Sequence, residues 1–257
     1  MTPDSREVLR RELEYHEKLY SGFAQEHFAR PAVRALRAHM VATMLNLLPD
    51  PKSASVLSLG CGIGDTEILL APYVKELVGV DLSPAAIRQC RQDAAALSNA
   101  RFIEGSLDSV EGQFDLVFGI FFLHHLPDSI LESAPAHIAR LLASGGRFYS
   151  LDPNRYRLSG AIGSLVVPKL MRKYQTPDER ELDPKRTAML FRKAGYDCRV
   201  RYYDFLSSPL AGLFPGSRST YMMSRIADDF ITRIPLVQRC GSNFELVASL
   251  PPRAANS

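Results

Sequence analysis

The chain has 257 residues, room for one α/β domain with cap segments and short for two independent domains. A hydrophobic content of 46% and a charged content of 23% are ordinary for a globular protein, and a formal charge of +3 is too small to imply a nucleic-acid partner. The four cysteines, Cys61, Cys90, Cys198 and Cys240, form no C-x-x-C pair, which argues against a zinc or disulfide framework and for a reducing, cytoplasmic setting.

The N-terminus lacks an apolar signal core, and no run approaches the ~18 apolar residues of a membrane span. Residues 5–20 predict a charged amphipathic helix with Val8, Leu9, Leu13 and Tyr20 on its apolar side. Aromatic and histidine residues gather there and just beyond: Tyr15, His16, Tyr20, Phe23, His27 and Phe28. A second helix follows Pro31, with Val33, Leu36, Met40, Met44 and Leu47 spaced by three and four, and Pro49-Asp50-Pro51 ends it. A short apolar strand at 55–59 then breaks at Gly60, Gly62 and Gly64. Glycines on alternate positions let the backbone turn tightly and bring N–H groups against a ligand. A helix beginning near Asp65 and continuing through 68–74 would aim its positive end at the same place. The dinucleotide fingerprint G-x-G-x-x-G fails here, because Asp65 stands at its sixth position.

Residues 76–80 read as a second buried strand ending at Asp81, 17 positions beyond Gly64. A βαβ unit brings that carboxylate beside the glycine loop, where it can accept hydrogen bonds from both hydroxyls of a ribose. The competing role, capping the next helix, is already supplied by Ser83-Pro84. That helix carries Ile87, Cys90, Ala94 and Leu97 on one face. Strand three covers 101–104 and leads into Gly105-Ser106-Leu107-Asp108; strand four covers 114–120 and leads into Phe121 to Asp128, with His124 and His125 side by side. A helix over 130–142, closed by Gly145-Gly146, precedes strand five at 147–151. Asp152 and Asn154 leave that strand to touch substrate or to start a turn.

Residues 155–173 carry an apolar side flanked by basic residues. A lid over the substrate, a helix on an anionic membrane surface and plain core all fit, and the modest net charge argues against the membrane. Asp183-Pro184 opens a further helix, and strands six and seven fall at 197–203 and 243–249. Between them, residues 204–240 are too long for a hairpin; their aromatics and methionines suit either a flap over an apolar ligand or a satellite core.

The glycine loop Leu59-Gly-Cys-Gly-Ile-Gly-Asp65, the acid ending strand two, and Phe114-Asp-Leu-Val with Leu123-His-His-Leu together resemble class I S-adenosylmethionine (SAM)-dependent methyltransferases. They are most similar to the ubiquinone and menaquinone biosynthesis group. The resemblance covers 55–151 well and the remainder loosely. It implies an α/β, Rossmann-like, seven-stranded and mostly parallel sheet with helices on both faces and the last strand antiparallel. One domain is expected, with an N-terminal helical lid over 1–50 and cap segments at 155–180 and 204–240. The resemblance further implies Gly60, Cys61, Gly62 and Gly64 around the methionine end of SAM, and Asp81 with Leu82 at its ribose. Ser106, Leu107 or Asp108 would lie near adenine and Gly119 behind the sulfonium. His125, then His124, then Tyr20 are the candidate bases or substrate-orienting groups; His125 equally suits a role buttressing the next helix.

Methyl transfer from SAM needs no metal or covalent nucleophile, only close and collinear reactants and, for some acceptors, a base. No Asn-Pro-Pro-Tyr segment, Pro-Cys nucleophile or basic stripe points to a nucleic-acid acceptor. The expected acceptor is therefore a small, partly apolar metabolite or lipid-linked intermediate. A SAM-binding partner or sensor without turnover and a membrane-surface lipid methyltransferase are the alternatives.

Overall fold

The structure, a computed structural model, describes residues 3–20, 26, 28–160 and 180–251. Seven strands form one sheet: β1 (Ser55–Leu59), β2 (Glu76–Asp81), β3 (Ala100–Glu104), β4 (Phe114–Ile120), β5 (Leu142–Pro153), β6 (Asp197–Asp204) and β7 (Asn243–Ser249). Their spatial order is β3-β2-β1-β4-β5-β7-β6, with β7 antiparallel to both neighbours and the other pairs parallel. This is the expected architecture. The chain leaves β1 toward one edge and returns to β4 on the other side, so the crevice at the carboxyl ends of β1 and β4 is the switch point where such sheets bind ligands.

The helices are α1 (Pro3–Tyr20), α2 (Pro31–Leu45), α3 (Glu67–Leu70), α4 (Pro84–Asp93), α5 (Asp128–Leu141), α6 (Pro184–Lys193), α7 (Ser207–Leu213) and α8 (Arg218–Ile231). Central strands are mostly apolar because successive side chains point to opposite faces and both faces are covered. Val56, Leu116, Phe118 and Tyr149 pack with Leu36, Met40 and Met44 of α2 on one side. Leu57, Val78, Val117 and Phe148 pack with Leu131 and Ile138 of α5 and Phe191 of α6 on the other. Each such buried side chain contributes about 1.5–3 kcal/mol relative to exposure.

Two local expectations fail. The helix after the glycine loop is only the four residues of α3, because a 3-10 turn containing Pro72 (Ala71–Tyr73) replaces its continuation. Its dipole is correspondingly small, so any anion held there is held by the loop. Gly145-Gly146 does not close α5, which passes straight into β5 at Leu142. The glycines instead lie beside the register shift between Phe114 and Leu116, Gly145 at φ +78°, where a Cβ on Gly146 would stand 2.7 Å from the Phe114 carbonyl oxygen.

Residues 161–179, which include most of the first cap segment, lie outside the described residues, as do Phe23 and His27. The second cap segment is described and divides its roles. α7 and α8 pack on α2, and Tyr221 is buried while Met223 and Phe230 are largely exposed. Fully buried Asp228 of α8 accepts hydrogen bonds from the backbone N–H groups of Phe205, Leu206 and Ser207 at 2.8–3.0 Å, fixing the start of α7. Asp228→Ala strands these donors and is expected to cost at least ~2 kcal/mol, read as a lowered urea midpoint. A midpoint unchanged from the parent would show that α7 holds itself.

Candidate active site

At the carboxyl edge of β1, Gly60, Gly62 and Gly64 adopt φ of +65°, +53° and +77°, a region that side chains disfavour. Space forbids side chains as well as backbone angle. A Cβ on Gly60 would lie 2.5 Å from the Phe122 ring, and one on Gly62 would lie 2.8 Å from the Tyr20 hydroxyl. The backbone N–H groups of Gly60 and Cys61 donate to the Val80 carbonyl at 2.9 and 3.1 Å, tying the loop to β2. Cys61 is buried, and burial pushes its thiol up and keeps it protonated.

Asp81 meets the loop from β2. One carboxylate oxygen accepts from Gly62 N at 2.8 Å and the other from Ser83 N at 2.9 Å. Burial raises its pKa, and these hydrogen bonds oppose the rise. Helix capping belongs to Ser83, whose hydroxyl accepts from Ala86 N at 3.0 Å. Glu17 of α1 accepts from the same hydroxyl and from Ala85 N, docking the N-terminal helix on the start of α4.

Two cavities open beside the loop. The first, about 400 Å³, is bordered by Cys61, Gly62, Arg37, Glu67 and His124, with Ser208 and Ala211 at the α7 end. The second, about 410 Å³, is bordered by Asp81, Leu82, Ser106, Leu107, Asp108 and Leu13. They meet at His16, Tyr20, Gly60, Phe121 and His125. Gly64 and Gly119 stand back from both cavities, Gly119 against the Phe122 ring. Of the two adenine candidates, Ser106 caps its own turn by accepting from Asp108 N, while Asp108 is exposed and 3.5 Å from His137.

The adjacent histidines have different settings. His124 is buried, its Nδ1 3.0 Å from Asp152 Oδ1; its backbone N–H donates to that oxygen at 3.2 Å, and Ser150 donates to Oδ2 at 2.8 Å. Asp152 therefore orients His124 and starts no turn. Asn154 does start a turn, its Oδ1 accepting from Tyr156 N at 3.1 Å while its amide donates to the carbonyls of Arg239 and Gly241. His125 borders both cavities, with Nδ1 3.0 Å from Glu12 Oε2. Burial lifts the Tyr20 hydroxyl well above the ordinary phenol range, so it is a hydrogen-bond donor and not a base.

Sequence reading missed three charged residues here. Arg37 pairs with Asp65 at 2.6 Å and faces the rings of Phe28 and Phe121. Glu67 is buried, accepts from Ser58 at 2.6 Å through Oε1, and among the described residues has no hydrogen-bond partner at Oε2. Glu12 comes from α1. The available signals were Ser58 inside an apolar strand and Glu67 at the start of a helix that faces the core.

Residues 56–146 match the family model described as a methyltransferase domain. The uncharacterized methyltransferase YcgJ of Bacillus subtilis (strain 168) is 31% identical over 102 residues, covering 38% of this chain and 40% of that protein. A ubiquinone biosynthesis O-methyltransferase of Cupriavidus pinatubonensis is 27% identical over 186 residues, covering 67% and 74%. The solved DhpI-SAH complex aligns over 98% of this chain and 100% of its own, with a TM-score of 0.61 and 16% identity, a likeness of fold. This chain spans 35% to 51% of the length of three of the curated relatives that it matches.

Proposed function

We propose that this chain, whose residues 56–146 carry a methyltransferase domain, transfers a methyl group from SAM to a small, partly apolar acceptor. The observation that carries the reading is the pair of cavities joined at a glycine loop that a half-buried carboxylate on β2 braces. The residues fit the cofactor. Asp81 would hold the ribose, Leu82 and the 106–108 turn would border the adenine, and the Arg37 guanidinium would meet the donor's carboxylate in the first cavity. When bound, SAM supplies a methyl on a positively charged sulfur, open to in-line attack.

The acceptor seat is the part of the first cavity walled by Phe121, Ile120, His124 and α7. His124 is the base: donation from its Nδ1 to Asp152 makes Nε2 the basic nitrogen. His124→Gln is expected to lower kcat on the order of 100-fold at unchanged SAM affinity, and Asp152→Asn to lower it less. A kcat within a few-fold of the parent would make the His124–Asp152 pair a structural buttress.

The reading is tested by calorimetry with SAM and its demethylated product, followed by transfer from methyl-labelled SAM into pools of small metabolites. Heat and labelled product support it. Heat without product across the pools would favour a SAM-binding partner or sensor, and no heat with either compound overturns the assignment. Among the described residues no helix is long and apolar enough to cross a membrane.

A further inference from the structure

The junction of the two cavities carries a side-chain cluster that methyl transfer does not require. Glu12 and His16 stand one turn apart on α1 and project from the same side of it. His125 approaches them from the loop after β4, where its Nδ1 lies 3.0 Å from Glu12 Oε2. The two imidazoles meet edge-on with centroids 5.1 Å apart, and one ligand atom from each of the three residues lies within 4.8 Å of the others. We propose that Glu12, His16 and His125 form a binding site for a divalent transition-metal ion of the zinc, cobalt or nickel kind.

The donor set is the first argument. Two imidazoles and one carboxylate suit borderline metals, in contrast to the all-oxygen shells of calcium or magnesium. Distance is the second. Ligand atoms about 2.1 Å from a tetrahedral ion stand about 3.4 Å apart, so side-chain rotations of a fraction of an ångström to about one ångström complete the site. Burial is the third. Glu12 is only 6% exposed, and a buried carboxylate needs a compensating charge. The Glu12–His125 ion pair supplies that charge in the absence of metal, and His16 Nδ1, held 2.9 Å from the Glu12 backbone carbonyl, stands 3.7 Å from Glu12 Oε2, within reach of the same ion. Three protein ligands leave at least one coordination position open, and the cluster faces the cavities, His16 and His125 bordering both and Glu12 the second, which is the pattern of a catalytic site and not of a closed structural one. With two ligands on α1 and one beside the sheet, an ion would also clamp the N-terminal helix over the crevice.

The inference does not depend on SAM and is tested without it. Untagged full-length protein, stripped with chelator, is titrated with Co²⁺ by visible absorption and then with Zn²⁺ in competition; metal retained through gel filtration is counted by mass spectrometry. About one equivalent is expected, displaceable by Zn²⁺ and accompanied by a higher thermal midpoint. Glu12→Gln and His16→Gln should each weaken binding at least about tenfold, and His39→Gln, away from the cluster, should not. Circular dichroism confirms that each variant is folded. Substoichiometric uptake, or affinity in His16→Gln equal to the parent's, overturns the proposal and leaves a Glu12–His125 ion pair. SAM calorimetry on the same samples separates failure of this site from failure of the methyltransferase reading.

Discussion

Asp81→Ala is expected to weaken SAM binding on the order of 100-fold and to abolish label transfer at ordinary donor concentrations. An ionised acceptor that receives two ribose hydroxyls contributes about 1.5–3 kcal/mol through each hydrogen bond, and two at the lower figure exceed a hundredfold in Kd. The substitution also releases Gly62 N and Ser83 N, now held at 2.8 and 2.9 Å, so part of any loss could come from a loosened loop. A donor analogue lacking one ribose hydroxyl separates the contributions. If Asp81 binds ribose, the parent discriminates against the analogue by about tenfold while Asp81→Ala treats both donors alike. If Asp81 only shapes the loop, the variant keeps the parent's discrimination. Calorimetry that finds the variant's SAM affinity within twofold of the parent removes the ribose assignment altogether.

What the sequence made legible follows the range of the interactions. The bounds of β1, β4 and β7 come out as the sequence predicts, because a strand covered on both faces is apolar along most of its length. The glycine loop was legible for a local steric reason, and the Ser83-Pro84 and Asp183-Pro184 helix starts for a local hydrogen-bonding one. The helix after the loop was overextended because apolar spacing there competes with Pro72, and the proline prevails. Side-chain partnerships were illegible where the chain closes long loops. Asp152 reaches His124 across 28 positions, and Glu12 reaches His125 through the docking of α1, to which Glu17 contributes at the start of α4. His124 and His125 are neighbours in sequence with unlike partners, and only the family resemblance ranked His125 first. The function proposed above takes them in the opposite order, on the strength of the Asp152 contact.

Glu67→Gln is expected to flatten the dependence of stability on pH. Burial, reinforced by the nearby Asp65 charge, pushes the Glu67 carboxyl from its ordinary 4.5 up to about 7, against the opposing hydrogen bond from Ser58. Below about 4.5 the group is protonated whether the chain is folded or unfolded, and it costs nothing. Between about 4.5 and about 7 the unfolded chain releases the proton while the folded one keeps it, so stability falls as pH rises. Above that window the loss is complete, on the order of 3 kcal/mol at 1.36 kcal/mol per pH unit. Glutamine resembles the protonated acid in shape and does not titrate. The variant should therefore match the parent near pH 4.5 and exceed it at pH 8, as urea midpoints at pH 4.5, 6 and 8 will show; parallel curves for the two proteins would sink the account. A carboxyl kept at such a cost needs a reason, and the first cavity supplies one. Among the described residues its Oε2 has no hydrogen-bond partner where the donor's amino group would be held, and an ammonium there would restore the ionised form. Glu67→Gln should then gain stability and lose SAM affinity together, the exchange expected when a site retains a group for binding against the interest of the fold.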